Sequence, residues 1–324
     1  MLLAATAARA FDFRAQAPTG QWLYYTVIAG TTNVKVVNPD WDTKTPPTGS
    51  LQIPATATNA DDGVTYTVTE IDSRAFYTCD ALTAVEIPSS VTSIGQLAFA
   101  FCTSLADIEL SSGLKQIGFQ AFNSCAYIND VTNWGEDGTI YIGNYIIQAM
   151  SSATGVITVA EGTTGTANGA FYGCTHLERI VLPASITMIG AIAFQDCLAM
   201  DTLEILATNP PSLGYNAFLN DENFTVLVPC HSASTYSASS SWRGFAIEEH
   251  CGNDVSIEEV ATSTVTIIPA IGGIEIYGAE GQRLTISDVM GRPVAESLGG
   301  YVPLPSHGVY IVATKGIQPL KIVY

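Results

Sequence analysis

Seven cysteines are the residues of this sequence whose type offers the most chemistry, because a thiolate can bind zinc, act as a nucleophile or form a disulfide. Zinc sites built from cysteine pairs usually separate the two residues by about two to four positions. Five of the seven instead recur at intervals of 23 or 49 residues, at Cys79, Cys102, Cys125, Cys174 and Cys197. This spacing predicts no metal site. It places each thiol at the same point of a repeating unit, as a small buried residue.

The other two cysteines, Cys230 and Cys251, lie outside that repeat. In an oxidising, extracellular compartment they would pair, and closing the loop between them would add roughly 3 kcal/mol of stability in the chain-entropy model. We therefore predict one disulfide between Cys230 and Cys251 and free thiols at the five repeat positions.

Other catalytic constellations are missing from the sequence. It contains no Gly-x-Ser-x-Gly elbow, no His-Glu-x-x-His pair, no phosphate-binding loop and no dinucleotide fingerprint. The four histidines, at positions 176, 231, 250 and 307, are scattered. These observations predict a protein that is not an enzyme and has no catalytic residues, metal or cofactor. Glycoside chemistry by a carboxylate pair remains the weakest alternative, because the sequence has 30 acidic residues.

The charge balance excludes several kinds of partner. Twelve basic residues oppose the 30 acidic ones, for a formal net charge of −18, and between Gln116 and Trp242 Arg179 is the only arginine or lysine. Nucleic acids and anionic membrane surfaces require clustered Lys and Arg. We therefore expect neither as a partner. After the first ten residues, no stretch of the sequence is apolar over the 18 or so residues that a transmembrane helix needs.

An internal repeat organises the middle of the chain. Ala-Phe followed by Cys occurs five times, with phenylalanines at 76, 99, 122, 171 and 194, and a sixth Ala-Phe ends at Phe218 without its Cys. The phenylalanines are 23, 23, 49, 23 and 24 residues apart. The interval of 49 residues indicates one longer, irregular coil between the third and fourth regular ones.

Each repeat combines a short strand with a tight turn. Segments such as Leu82-x-x-Val85-x-Ile87 alternate apolar and polar residues, as a strand with one buried face does, and Pro88 and Pro183 end two of them. Ala-Phe fits a single helical or 3₁₀ turn on the opposite side of the coil. One repeat cannot cover its own apolar face, so neighbouring coils must stack. The pattern predicts a mainly β solenoid with a 23-residue period.

The unit Ile-Gly-x-x-Ala-Phe-x-x-Cys-x-x-Leu closely resembles the BspA-like leucine-rich repeat of bacterial surface proteins, over about residues 66–229. The resemblance implies a leucine-rich-repeat solenoid at the cell surface and a non-enzymatic role in recognition or adhesion, as in members that bind host extracellular proteins. It transfers no catalytic residues and no ligand. A structural spacer or scaffold of the cell envelope is the alternative function.

The sequence as a whole divides into four predicted segments. Residues 1–10 end in Ala8-Arg9-Ala10, which has the form of a signal-peptidase site and predicts a remnant of a secretory signal. Residues 11–65 are predicted to form an N-terminal β cap and residues 66–253 the solenoid with its C-terminal closure. Residues 254–324 alternate like a small β-sandwich and resemble the C-terminal sorting domains of type IX secretion. We expect a secreted or cell-surface protein, associated with the outer membrane.

The predicted ligand-binding surface is the concave strand face. Residues beside the conserved apolar positions of each strand point away from the core, and on successive coils many of them are acidic. These carboxylates would suit a basic protein surface or weakly held calcium, although a solvated face of an acidic protein would show the same composition. A protein or glycan ligand is expected there. The candidate binding residues are Glu86, Asp107, Glu109, Asp130, Arg179 and Glu204.

Overall fold

The computed structural model describes residues 11–219 and 224–251 and, beyond them, 266–270, 273–277, 283–288, 292–297, 300–304, 309–314 and 317–323. The chain forms two compact units, Met1–Glu249 and His250–Tyr324. The predicted signal remnant, residues 1–10, lies outside the described residues.

Short strands dominate the first unit. In chain order they are β1 (Phe13–Gln16), β2 (Trp22–Val27), β3 (Asn33–Val36), β4 (Gly49–Gln52), β5 (Thr56–Thr58), β6 (Thr65–Ile71), β7 (Leu82–Glu86), β8 (Ser93–Ile94), β9 (Asp107–Glu109), β10 (Gln116–Ile117), β11 (Thr139–Ile142), β12 (Tyr145–Ala149), β13 (Thr154–Thr158), β14 (Gly165–Thr166), β15 (His176–Leu182), β16 (Met188–Ile189), β17 (Thr202–Ile205), β18 (Ser212–Leu213), β19 (Thr225–Pro229) and β20 (Ala246–His250). The helical segments are α1 (Ala126–Asn129), a 3₁₀ helix (Val131–Asn133) and α2 (Ala233–Ala238).

Each regular coil contributes one strand to each of two sheet faces. The Leu-x-x-Ile-x-Leu segments form what we call the strand face, in two sheets with the orders β4-β7-β9 and β13-β15-β17-β19-β20. The two-residue strands before each turn form the opposite sheets. Neighbouring coils pair in parallel and in register, with Val85 opposite Ile108 and Ile180 opposite Leu203. The predicted mainly β solenoid with a period of about 23 residues is confirmed.

The repeat phenylalanines form the centre of the core. Their rings stack from coil to coil, with centroids 4.9 Å apart for Phe76–Phe99, 5.4 Å for Phe99–Phe122 and 5.0 Å for Phe171–Phe194. All five are at most 1% exposed, as the repeat register predicts. Such stacked apolar rings supply burial that no single coil could achieve.

Glycine follows several of the two-residue strands because adjacent coils approach too closely for a side chain. A Cβ on Gly118 would lie 2.3 Å from the carbonyl carbon of Gly95, and one on Gly214 would lie 2.2 Å from the amide nitrogen of Ala191. Ala167 stands at this position in the coil after the irregular segment.

The solenoid register begins within residues 11–65, the segment predicted to be a cap. β1, β2 and β3 form an antiparallel meander. β3 then pairs in parallel with β6, and β4 pairs in parallel with β7. Residues from β3 to β4 therefore already form a first coil, without the Ala-Phe-x-x-Cys turn.

The third coil departs from the predicted pattern. The sequence predicts a strand through Asp130 and Thr132, but this segment folds as α1 followed by the 3₁₀ helix. We attribute this to Asn133, a polar residue at the position where other coils have a leucine or isoleucine that is buried or, as at Leu110, half-buried, because burying an amide side chain there would cost free energy. Val131, at the preceding apolar position, is 78% exposed. After the hairpin of β11 and β12, β13 begins a new strand-face sheet.

A short C-terminal segment closes the solenoid. Trp242 and Tyr236 are fully buried. The Trp242 indole N–H donates to the carbonyl oxygen of Pro211 at 2.7 Å, and the Tyr236 hydroxyl donates to that of Ala207 at 2.8 Å. These bonds satisfy the polar atoms of two rings that cover the last coil.

Antiparallel strands make up the described part of the second unit. One cluster of buried side chains includes residues from two sheets, such as Ile276 and Ile286. The sheets have the orders β21-β22-β25 and β24-β23-β26-β27. The predicted β-sandwich remains a prediction for this unit. The strands are β21 (Thr266–Ala270), β22 (Gly273–Tyr277), β23 (Leu284–Asp288), β24 (Pro293–Ser297), β25 (Gly300–Pro303), β26 (Val309–Thr314) and β27 (Ile317–Val323).

Candidate binding face

Three carboxylates share the N-terminal half of the strand face. Glu86 at the end of β7 lies opposite Glu109 in β9, and Ala84 lies opposite Asp107. Glu86, Asp107 and Glu109 are all exposed. Strands are about 4.8 Å apart, so the opposed pair of Glu86 and Glu109 places like charges side by side. We call these three residues the acidic patch.

Strand β4 adds neutral polar groups to the edge of the acidic patch. Gln52 lies opposite Glu86, and its amide nitrogen donates to a carboxylate oxygen of Glu86 at 2.9 Å. Ser50 lies opposite Ala84. The interpretation of residues 11–65 as a cap missed both. A signal for them was present, because Leu51-x-Ile53-Pro54 repeats the pattern of Val85-x-Ile87-Pro88.

Asp130 does not belong to the strand face, which corrects the sequence prediction. It lies between α1 and the 3₁₀ helix, where its carboxylate accepts hydrogen bonds from the Thr132 amide at 2.9 Å and from the Thr132 hydroxyl at 2.7 Å. These bonds, the one from the hydroxyl first, lower the pKa of Asp130. Its role is to cap a helical turn.

Arg179 and Glu204 are on the strand face, but they bind each other. The Arg179 Nη2 atom lies 2.6 Å from the Glu204 Oε2 atom. Glu204 is only 7% exposed. The sequence placed both residues on the correct face, yet the carboxylate is covered and neutralised there.

From β13 to β19, the outward positions of the face are otherwise nearly neutral. Val156 is 59% exposed, and Val181 and Leu227 are half-buried at positions equivalent to those of the acidic residues. Threonines occupy other outward positions, as the register Arg179–Thr202–Thr225 shows. The face therefore has an acidic N-terminal half and a nearly neutral stretch from β13 to β19, and exposed acids return in the last strand, β20, with Glu248 and Glu249.

The cysteines divide into two groups. Cys79, Cys102, Cys125, Cys174 and Cys197 are free and buried. Burial raises the pKa of Cys102 to about 12 and that of Cys174 to about 11. Such thiols are protonated at neutral pH and are poor nucleophiles or metal ligands. Cys230 and Cys251 are each disulfide-bonded.

One group of potential metal ligands comes together in the part of the chain that the structure describes, namely Cys230, His231 and Glu249. The Cys230 sulfur is in a disulfide. Glu249 already accepts a hydrogen bond from the Ala233 amide at 2.9 Å, which lowers the pKa of Glu249. This arrangement ties α2 to β20 and does not have the ligand set of a structural zinc site.

Parallel coils with a 23-residue period, an aromatic ladder and a strand face with outward polar residues define a leucine-rich-repeat protein. The chain belongs to the family described as the BspA type leucine rich repeat region, whose model matches six copies over residues 64–165 and 141–250. Residues 254–324 match a domain of unknown function, DUF6383. None of the curated proteins matches the sequence.

Several solved structures resemble the chain. A leucine rich cell surface protein from Faecalibacterium prausnitzii A2-165 is 24% identical, with a TM-score of 0.35, over 67% of this chain and 55% of that one. The T. pallidum leucine rich repeat protein is 24% identical, with a TM-score of 0.32, over 64% and 85%. A leucine-rich repeat protein from Bacteroides capillosus is 22% identical, with a TM-score of 0.29, over 60% and 99%. The chain spans about half the length of the F. prausnitzii protein.

Among the described residues, no helix is both long and apolar enough to cross a membrane.

Proposed function

We propose that this chain is a non-enzymatic recognition protein of the cell surface that binds a protein partner through its strand face. The observation that carries the proposal is the acidic patch, in which three exposed carboxylates lie on two neighbouring strands. The described sheet β4-β7-β9 contains no Lys, Arg or His. Extended sheet faces are the usual binding surfaces of solenoid proteins.

Electrostatics favour a basic partner. Placing Glu86 opposite Glu109 costs stability through repulsion, and a cationic surface would remove that cost on binding. The net charge of −18 would also accelerate the approach of a positively charged protein. Calcium is the less favoured ligand, because Gln52 already donates a hydrogen bond to Glu86 and both groups would have to reorganise.

The proposed location is the cell surface, with the second unit as an export or anchoring domain. Its sequence resembles type IX sorting domains, and disulfide-bonded Cys230 and Cys251 suit an oxidising compartment. The cell-surface protein from F. prausnitzii supports the same location only by analogy.

A binding survey with the purified full chain tests this proposal. Host matrix proteins and neutral glycans are immobilised, and capture is measured at low salt and at about 0.5 M salt, where charge interactions are strongly screened. We expect capture of one or more basic proteins that weakens as salt is added. Capture of no protein would instead support the alternative of a structural spacer. Hydrolysis of a glycan would instead support the weakest alternative, a carbohydrate-active enzyme that uses a pair of carboxylates.

A further inference from the structure

The strand face is interrupted at the third coil. Its strands form two separate sheets, β4-β7-β9 and β13-β15-β17-β19-β20, because the segment between Cys125 and Trp134 folds as α1 and the 3₁₀ helix. Strand β9 therefore pairs with β7 on one side and with no strand on the other. An unpaired strand edge is a template on which another extended chain can form backbone hydrogen bonds.

The unpaired edge of β9 presents the peptide groups of Ile108 and Leu110. The Ile87 amide donates to the Glu109 carbonyl oxygen at 3.0 Å, so the peptide groups of Glu109 face β7. Successive residues of a strand point their peptide groups to opposite sides, which turns those of Ile108 and Leu110 away from β7. Within residues 11–219, the amides of these two residues have no hydrogen-bond acceptor.

The opposite edge of the same sheet is closed by side chains. The Gln52 amide donates to the Thr19 hydroxyl oxygen at 3.3 Å, and the Gln21 side-chain amide donates to the Ser50 carbonyl oxygen at 2.9 Å. Ser50 and Gln52 belong to β4, so these bonds satisfy peptide groups on its outer edge. In the part of the chain that the structure describes, no side chain forms an equivalent bond with the outer edge of β9.

The core-facing side chains of β9 are less covered than those of its neighbours. Ile108 and Leu110 are half-buried. At the same two positions of β4, β7, β13, β15, β17 and β19 the side chains are at most 3% exposed, as Val85 and Ile87 are. Water therefore reaches the space beside β9. An apolar side chain placed there would bury Ile108 and Leu110 as fully as their equivalents.

The third coil of the chain leaves this edge unpaired. The Tyr127 amide donates to the Leu105 carbonyl oxygen at 2.9 Å, before β9 begins. Beyond that point the backbone bonds of the segment close on the segment itself, as the Asn133 amide does on the Asp130 carbonyl oxygen at 3.1 Å. Val131 is 78% exposed. The segment thus projects into solvent and does not replace the missing strand.

The charge beside the open edge specifies the kind of strand that fits it. Asp107 and Glu109 are exposed, and their side chains alternate with that of Ile108 along β9. A strand added about 4.8 Å away would place every second side chain beside these carboxylates and the others over the half-buried apolar residues. Basic residues suit the first set of positions, and apolar residues suit the second.

We propose that the open edge of β9 binds an extended, parallel segment of a partner protein in which basic and apolar residues alternate. This inference rests on the proposed function and adds how the basic partner is held. Carbonyl oxygens of the segment accept hydrogen bonds from the Ile108 and Leu110 amides, and one of its amides donates to the Ile108 carbonyl oxygen. Its basic side chains lie beside Asp107 and Glu109, and its apolar side chains cover Ile108 and Leu110.

Amide chemical shifts of the full chain test this proposal, with three peptides added separately. The first is acetyl-Lys-Val-Lys-Val-Lys-amide. The second is the same peptide N-methylated at its second and third lysines, which keeps the charge but removes the amide hydrogens that would pair with β9. The third, acetyl-Lys-Lys-Lys-Val-Val-amide, keeps the composition without the alternation. We expect saturable shifts at the Ile108 and Leu110 amides with the first peptide, and binding at least about tenfold weaker for the other two.

Two outcomes would overturn the proposal, and both can be told apart from a failure of the proposed function. If the first peptide does not bind, or if the N-methylated peptide binds as tightly, the edge of β9 does not pair with a partner strand. Capture of whole basic proteins in the binding survey tests the acidic patch independently, because charge attraction alone needs no backbone pairing.

Two variants of one position provide a matched pair. Ile108→Pro removes the amide hydrogen that points to the open edge, whereas Ile108→Ala keeps it, and both make the same half-buried side chain smaller. We expect Ile108→Pro to bind the first peptide at least about tenfold more weakly than Ile108→Ala. The chemical shifts of distant amides check that both variants are folded. Equal binding by the two folded variants would contradict the proposal, and if Ile108→Pro does not fold, the N-methylated peptide decides.

Discussion

Arg179 and Glu204 form an ion pair between the neighbouring strands β15 and β17, with 2.6 Å between Nη2 and Oε2. They are not directly opposed, because Arg179 faces Thr202 and Glu204 faces Val181 in the sheet register. The long arginine side chain reaches the carboxylate diagonally, and Glu204 becomes buried beneath it. The pair therefore neutralises the acid at an outward position of β17, whereas the acidic patch places three exposed carboxylates on two neighbouring strands.

Removing the arginine should destabilise the solenoid. Arg179→Met takes the cation away from a buried carboxylate, and we expect the free energy of unfolding to fall by about 1–3 kcal/mol, less than for a fully buried pair because Arg179 is partly exposed. The double variant Arg179→Met/Glu204→Leu should recover most of that loss. Urea unfolding of the three proteins measures the coupling. An Arg179→Met variant as stable as the parent would show that the pair contributes nothing.

The repeat made most of the fold predictable from sequence. Alternation such as Val85-x-Ile87 assigns the strands, and the spacing of the phenylalanines assigns the register, because equal positions must stack. The strand predicted for the third coil was wrong, and we attribute this to Asn133, because burying its polar side chain where other coils have leucine or isoleucine would cost free energy. That polar residue was visible in the sequence, but the strength of the repeat outweighed it.

Two parts of the candidate site could not be read from the repeat. The ion pair forms because the arginine side chain reaches diagonally across two strands, whereas the repeat pattern predicts only which residues lie directly opposite each other. The first coil, with Ser50 and Gln52, lacks the Ala-Phe-x-x-Cys turn by which the other coils were recognised. Its Leu51-x-Ile53-Pro54 segment was the one clue to it.

Exchanging glycine and alanine should change the free energy of unfolding by different amounts at Gly118, before the irregular segment, and at Ala167, after it. Gly118→Ala places a Cβ 2.3 Å from the backbone of Gly95, so coils must separate, and we expect a loss of at least about 2 kcal/mol. The reverse change, Ala167→Gly, should cost only about 1 kcal/mol, the ordinary penalty for added chain entropy and a lost methyl group. Chemical denaturation compares the two. Equal losses would mean that the coil spacing is the same at both sites.

Thiol mapping should separate the cysteines into the two groups found in the structure. Alkylation of the denatured, unreduced protein is expected to label Cys79, Cys102, Cys125, Cys174 and Cys197. Peptide mapping should recover Cys230 and Cys251 joined to each other. A cross-link between Cys79 and Cys102 would contradict the stacked, free thiols of the repeat.

Stability should decline in alkali because the repeat thiols are buried. Burial raises the pKa of Cys174 from 9.0 to about 11, so above pH 9 the unfolded chain releases a proton that the folded chain keeps. The stabilisation is complete below pH 9 and is lost as the pH rises towards 11, by about 1.4 kcal/mol for each pKa unit. Buried tyrosines add to the loss above pH 10, so Cys174→Ala is compared with the parent between pH 8 and 10. The variant should lose less stability over this range, and identical slopes would contradict the burial of this thiol.

The most direct measurement for the proposed function compares two triple variants with the same change in charge. One neutralises the acidic patch (Glu86→Gln, Asp107→Asn, Glu109→Gln), and the other neutralises three exposed acids outside the strand face (Asp42→Asn, Asp61→Asn, Glu161→Gln). Capture of the basic proteins found in the binding survey is measured for both, together with the melting temperature. We expect the patch variant to keep or gain stability, because repulsion is relieved, and to lose at least about tenfold in affinity, while the control stays within about twofold of the parent. Unchanged capture by a folded patch variant, or an equal loss in both variants, would show that the strand face is not the binding surface.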